Sequence, residues 1–101
     1  MAYRVIATEA FVEEYEAIVD DLLVEGGSPK TASRFIEEMD VAVGRISLFP
    51  ESNAVSAKEI LLNFGLREQL VFGYVIVYAI EHDAVVLMHI FHQRQDFEKD
   101  I

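Results

Sequence analysis

The side chains best equipped for chemistry cluster toward the C-terminal half of the chain: Arg67, Arg94 and the histidines His82, His89 and His92. Arginine carries a planar fork of donors that suits carboxylate and phosphate alike. Each of the two arginines therefore has a plain reading and a sharper one. In the plain reading Arg67 pairs with Glu68 or a neighbouring strand, and Arg94 pairs with Asp96, as surface ions commonly do for little gain. In the sharper reading both lie on one edge of a sheet and contact a partner. His89 and His92 are three apart in an extended segment, so they point to opposite faces and cannot chelate together. His89 is expected to be a hydrogen-bonded buried histidine and His82 a turn residue, whereas His92 suits a structural role or that of a general base. The chain has no cysteine, which excludes disulfides, thiolate catalysis and cysteine-bound metal. Without cysteine or an H-E-x-x-H motif, neither a metal nor a cofactor is expected.

The elements that must position these groups centre on residues 73–96, GYVIVYAIEHDAVVLMHIFHQRQD. Two runs rich in Val, Ile, Tyr and Phe, residues 74–80 and 84–92, flank the polar break Glu81-His82-Asp83, which predicts a β-hairpin. Both faces of these runs are apolar, the pattern of central strands covered on at least one side. Upstream, residues 3–8 form a first strand. Thr8 is placed to cap a helix over residues 9–25, whose apolar positions Phe11, Tyr15, Ile18 and Leu22 recur at helical spacing. Ser28-Pro29 opens a second helix with the stripe Ala32, Phe35, Ile36, Met39, Val43 and Ile46, which stops at Phe49-Pro50. Residues 50–57 compose a loop, residues 58–64 suit a short strand or a helical turn, and residues 66–72 alternate as a strand ending at Gly73. The order is β-α-α-β-β-β in one domain spanning residues 1–101. The fold class is α+β, a helical hairpin packed on one face of a small, mostly antiparallel sheet. The other face is expected to need a partner, because it is too apolar to meet water alone.

Composition narrows the function further. The net charge is −10, and Glu9, Glu13, Glu14, Glu16, Asp20, Asp21 and Glu25 share a stretch that holds none of the eight basic residues. Such a chain is repelled by a phosphate backbone, so direct binding of free nucleic acid is disfavoured. The acidic stretch is expected to be a solvated helix face; the functional alternative is a surface that excludes wrong partners. No apolar run is long enough for a membrane span, and the N-terminus lacks a secretory h-region, so a cytoplasmic location is expected.

Several short motifs in this order resemble one family. They are Ser28-Pro29 with Ala32, Leu48-Phe49-Pro50, Gly65-Leu66-Arg67, Tyr74-Val75-Ile76-Val77-Tyr78 and His92-Gln93-Arg94-Gln95-Asp96. Together they resemble the RelE/ParE superfamily, toxins of type II toxin–antitoxin systems often labelled plasmid stabilisation proteins. The resemblance implies growth inhibition, and an antitoxin that wraps extended and helical segments over the sheet and helices. It admits a homodimer, and it implies one of two targets, DNA gyrase in the ParE branch or the ribosome in the messenger-cleaving branch. Ribosome-dependent members place an Arg after the Tyr that opens the third strand and a Tyr near the C-terminus; here those places hold Val75 and Phe97. A nuclease would have to rely on Arg94, Arg67, Lys58 and His92. The reading favoured is a ParE-like toxin that binds gyrase through Arg67, Arg94 and Asp96. The alternatives are a RelE-type endoribonuclease and a non-toxic binding module on the same fold.

Overall fold

A computed structural model describes residues 2–24, 28–56 and 64–93. The elements are β1 (Arg4–Ala7), α1 (Glu9–Val24), α2 (Pro29–Leu48), a 3-10 turn (Pro50–Ser52), β2 (Arg67–Val71), β3 (Tyr74–Glu81) and β4 (Ala84–His92). The α+β order β-α-α-β-β-β is therefore as the sequence predicts.

Capping fixes both helix starts. The Phe11 amide donates to Thr8 Oγ1 at 3.1 Å, and the Thr31 amide donates to Ser28 Oγ at 3.2 Å with Pro29 in the first helical position. Each such cap is worth about 1 kcal/mol. On α2 the buried residues are Ala32, Phe35, Met39, Ala42 and Ile46. That seam leaves Ile36 38% exposed and draws Ala42 inward, a narrower stripe than the hydrophobic pattern predicts.

The sheet runs β1-β4-β3-β2. β2, β3 and β4 form an antiparallel meander, while β1 pairs parallel to β4, so the first strand joins the last. Both hairpins close through two-residue turns. Phe72 and Gly73 hold φ of 51° and 83°, and His82 holds 56°. A shift in register at Val77/Tyr78 skips Met88, so β4 changes face partway along. Residues before and after that bulge therefore reach the same core at different parity, among them Leu87 and Ile90. This core lies between the helices and the sheet and includes Phe11, Phe35, Ile46, Ile76, Tyr78 and Val85.

The opposite face carries a second cluster of Leu66, Val75, Val77 and Phe91, each at most 7% exposed. The chain itself thus shields the middle of the face that the sequence pattern assigns to a partner. Exposed apolar groups remain at its margin, where Phe64 and Leu70 are 69% and 64% exposed.

Candidate functional site

Arg67 opens β2, the outer strand of the sheet, just after a turn in which Gly65 holds φ of 66°. Val55 bridges to Arg67, and the Ser56 amide donates to the Leu66 carbonyl at 2.8 Å, so residues 53–56 run beside the strand. The Arg67 guanidinium donates to the Asn53 carbonyl. Asn53 Nδ2 in turn donates to Gln69 Oε1 at 2.9 Å and to the Tyr78 hydroxyl at 3.2 Å. That hydroxyl, wholly buried, donates to the Pro50 carbonyl at 2.6 Å. Glu68 points to the other face of the strand and accepts from Ser56 Oγ at 2.8 Å. Consecutive strand residues diverge, which is why Glu68 is no partner for the Arg67 side chain.

His92 ends β4, exposed, with its ring edge-on to Tyr74 at 5.3 Å. The Gln93 amide then donates to the Gly73 carbonyl at 3.0 Å, tying the polar exit to the β2–β3 turn. Arg67 is in register with Tyr78, and His92 with Tyr74. Those partners are four residues apart on β3, about 13 Å, and β2 and β4 are two strand spacings apart, about 10 Å. The structure therefore does not bring Arg67 and His92 together. Lys58, Arg94 and Asp96 lie outside the described residues. His82 sits in the β3–β4 turn, and His89 is half-buried with Nδ1 3.1 Å from Glu14 Oε2.

Two grooves border these groups. One, of about 470 Å³, lies along β2 with polar and apolar walls in near-equal measure, lined by Asn53, Glu68, Gln69, Leu70, Val75 and Gln93. It runs from the residue that holds Arg67 to the residue that precedes Arg94. The other, of about 570 Å³, lies between α1 and the β3–β4 end, with Glu14, Ile18, Asp21, Tyr74, Ile90 and His92 among its walls. Burial, and after it the Asp21 carboxylate, holds the Tyr74 phenol above its ordinary value of 10.0.

Glu14 is a residue the sequence pattern does not single out. β1 ends at Ala7, which leaves the outer edge of β4 unpaired beyond it. Thr8 continues the ladder, its amide donating to the Leu87 carbonyl at 3.0 Å and its hydroxyl to the Met88 carbonyl at 2.8 Å. Nearly two turns further along α1, Glu14 Oε1 accepts from the Ile90 amide at 3.0 Å. The signal in the sequence is the spacing Glu14, Ile18, Asp21, which places all three on one helix face. Among the described residues, no three His, Asp or Glu side chains group as a metal site.

The family model described as "ParE toxin of type II toxin-antitoxin system, parDE" matches residues 5–97. Among curated proteins none matches. A solved structure, "Chromosomal ParDE TA system from P. aeruginosa", is similar with a TM-score of 0.70 and 14% identity, covering 90% of this chain and 96% of that one. At that identity the likeness is one of fold.

Proposed function

The chain belongs to the ParE toxin family of type II toxin–antitoxin systems, and from that premise we propose that it arrests growth by binding an essential target, DNA gyrase, until a cognate antitoxin neutralises it. The observation that carries the binding reading over the nuclease reading is the separation of Arg67 from His92. A messenger-cleaving site needs a proton-transfer group beside the cations that hold the scissile phosphate. His92 instead faces α1, across the sheet from the Arg67 loop. Val75, the position where ribosome-dependent relatives carry an arginine, is 3% exposed.

The proposed target surface is the groove along β2. Amide side chains from Asn53, Gln69 and Gln93 line it; Asn53 holds Arg67, and Arg94 and Asp96 follow Gln93 in sequence. Amides and arginines make geometrically demanding contacts, which suits recognition of a protein surface more than bulk attraction to phosphate. The acidic remainder of the molecule supports the same conclusion, because ribosomal RNA would repel it.

The test is expression without antitoxin, alongside an Arg67→Ala/Arg94→Ala double variant. Growth arrest by the wild type alone, with filamentation and DNA damage, is the expected result. A fall in translation with messenger cleavage would transfer the chain to the nuclease reading. Normal growth while soluble protein accumulates would overturn the toxin reading and leave a binding module.

A further inference from the structure

We infer that the groove between α1 and the β3–β4 end receives a basic, partly apolar segment of the antitoxin, with an Arg or Lys seated between Asp21 and the Tyr74 ring. The inference rests on the antitoxin partnership of the proposed function and adds where one contact falls and what chemistry it has.

The groove's floor is apolar, formed by Ile18, Ile90 and the Tyr74 ring, and its rim is acidic. Glu14 is engaged by the Ile90 amide and His89, so Asp21 is the rim carboxylate open to an incoming group. Asp20 and Glu13 stand exposed on the same helix, and α1 contains no Lys or Arg along its length. The C-terminal end of a helix carries partial negative charge, which normally draws a cation into the last turn. The last turn of α1 has none. Beyond the groove, on the same face of α1, stands Val24, 79% exposed. A complementary segment therefore needs cationic side chains at the rim and aliphatic ones on the floor and beyond it. Arginine satisfies both demands at once, forking onto a carboxylate while stacking on an aromatic face.

None of the chain's described cations lines this groove. Arg4 bonds Asp83 at 3.1 Å, Arg34 lies over the Phe72 ring at 5.6 Å, Arg67 binds the Asn53 carbonyl, and Lys30 and Arg45 stand on α2. A second copy of the chain is a poor occupant as well, because it would bring another net −10 to an acidic rim.

The probe is the antitoxin encoded with this chain, expressed and purified separately, and the assay is its affinity for three forms of the toxin. The forms are the wild type, Asp21→Lys, and Glu38→Lys as a control with the same charge change on exposed α2 surface. Asp21→Lys should weaken binding by about tenfold or more and Glu38→Lys by less than about twofold. Wild-type affinity should fall by about tenfold between 0.05 and 0.5 M NaCl, and Asp21→Lys should lose most of that dependence. Circular dichroism melting establishes that all three forms are folded. Equal effects of the two substitutions, or an affinity indifferent to salt, would overturn the inference and leave the toxin reading intact. Loss of growth arrest in Asp21→Lys with antitoxin affinity unchanged would also overturn it, assigning the groove to the target. Failure of the wild type to bind the antitoxin at any salt would remove the underlying partnership, and the inference with it.

Discussion

Replacing Glu14 should expose how much of the sheet's edge depends on one side chain. Its carboxylate accepts from the Ile90 amide at 3.0 Å and from His89 Nδ1 at 3.1 Å, and the side chain is 29% exposed. Ile90 is 2% exposed, so in Glu14→Ala its N–H loses its acceptor in a place water reaches poorly. An abandoned buried donor costs about 1–3 kcal/mol. Alanine's better helix propensity returns about 0.4 kcal/mol. The net expectation is a loss of about 2 kcal/mol, or about 8–16 °C in Tm for a chain of this size. Glu14→Gln keeps an acceptor oxygen at the same reach and should cost less than about 1 kcal/mol. Thermal denaturation orders the variants, and amide hydrogen exchange locates the effect. Ile90 should lose protection in the alanine variant and retain it in the glutamine one. An Ile90 amide equally protected in both, or an alanine variant as stable as the wild type, would refute the idea that Glu14 stands in for a missing strand.

Tyr78→Phe removes a hydroxyl that serves Pro50 and Asn53, and should cost about 1–2 kcal/mol by urea denaturation while leaving the secondary structure intact. Gly73→Ala meets no atom within 4 Å of the added carbon, so the expected loss of about 1–2 kcal/mol comes from its φ of 83° alone; an unchanged Tm would refute this. The Tyr74 phenol is favoured in its neutral form by the fold, so its contribution is intact below its ordinary value of 10.0 and is lost as the pH rises past it. In an ultraviolet titration, Asp21→Asn should move its ionisation downward, by relieving the smaller of the two causes.

Much of the fold is legible because local chemistry decides it. Thr8, Ser28-Pro29 and Phe49-Pro50 bound the helices through their own backbone preferences, and Gly73 and the polar break at 81–83 give both hairpins. The parallel partnership of β1 with β4 is different in kind. Nothing near Arg4–Ala7 specifies a partner some eighty residues away; packing of α1 and α2 over the sheet does. The Met88 bulge is equally silent in sequence, since β4 is apolar on both faces and either parity satisfies the pattern. For the site, charge and residue type pick out Arg67 and His92, but only register shows that they occupy opposite ends of the sheet. Glu14 is hidden in an acidic run whose other described members are exposed.

The pairing of the first strand with the last also sets a clock. Thr8 bonds to Met88 across 80 residues of chain, so the sheet cannot close until β4 has been synthesised and has left the ribosomal tunnel. At about 5–20 residues per second that interval lasts about 4–16 s. Throughout it α1 and α2 exist without the edge of β4 on which Thr8 and Glu14 dock. A nascent chain of this topology is consequently unfinished from the synthesis of Thr8 to that of Met88, which gives a partner already in the cell a head start over the completed fold.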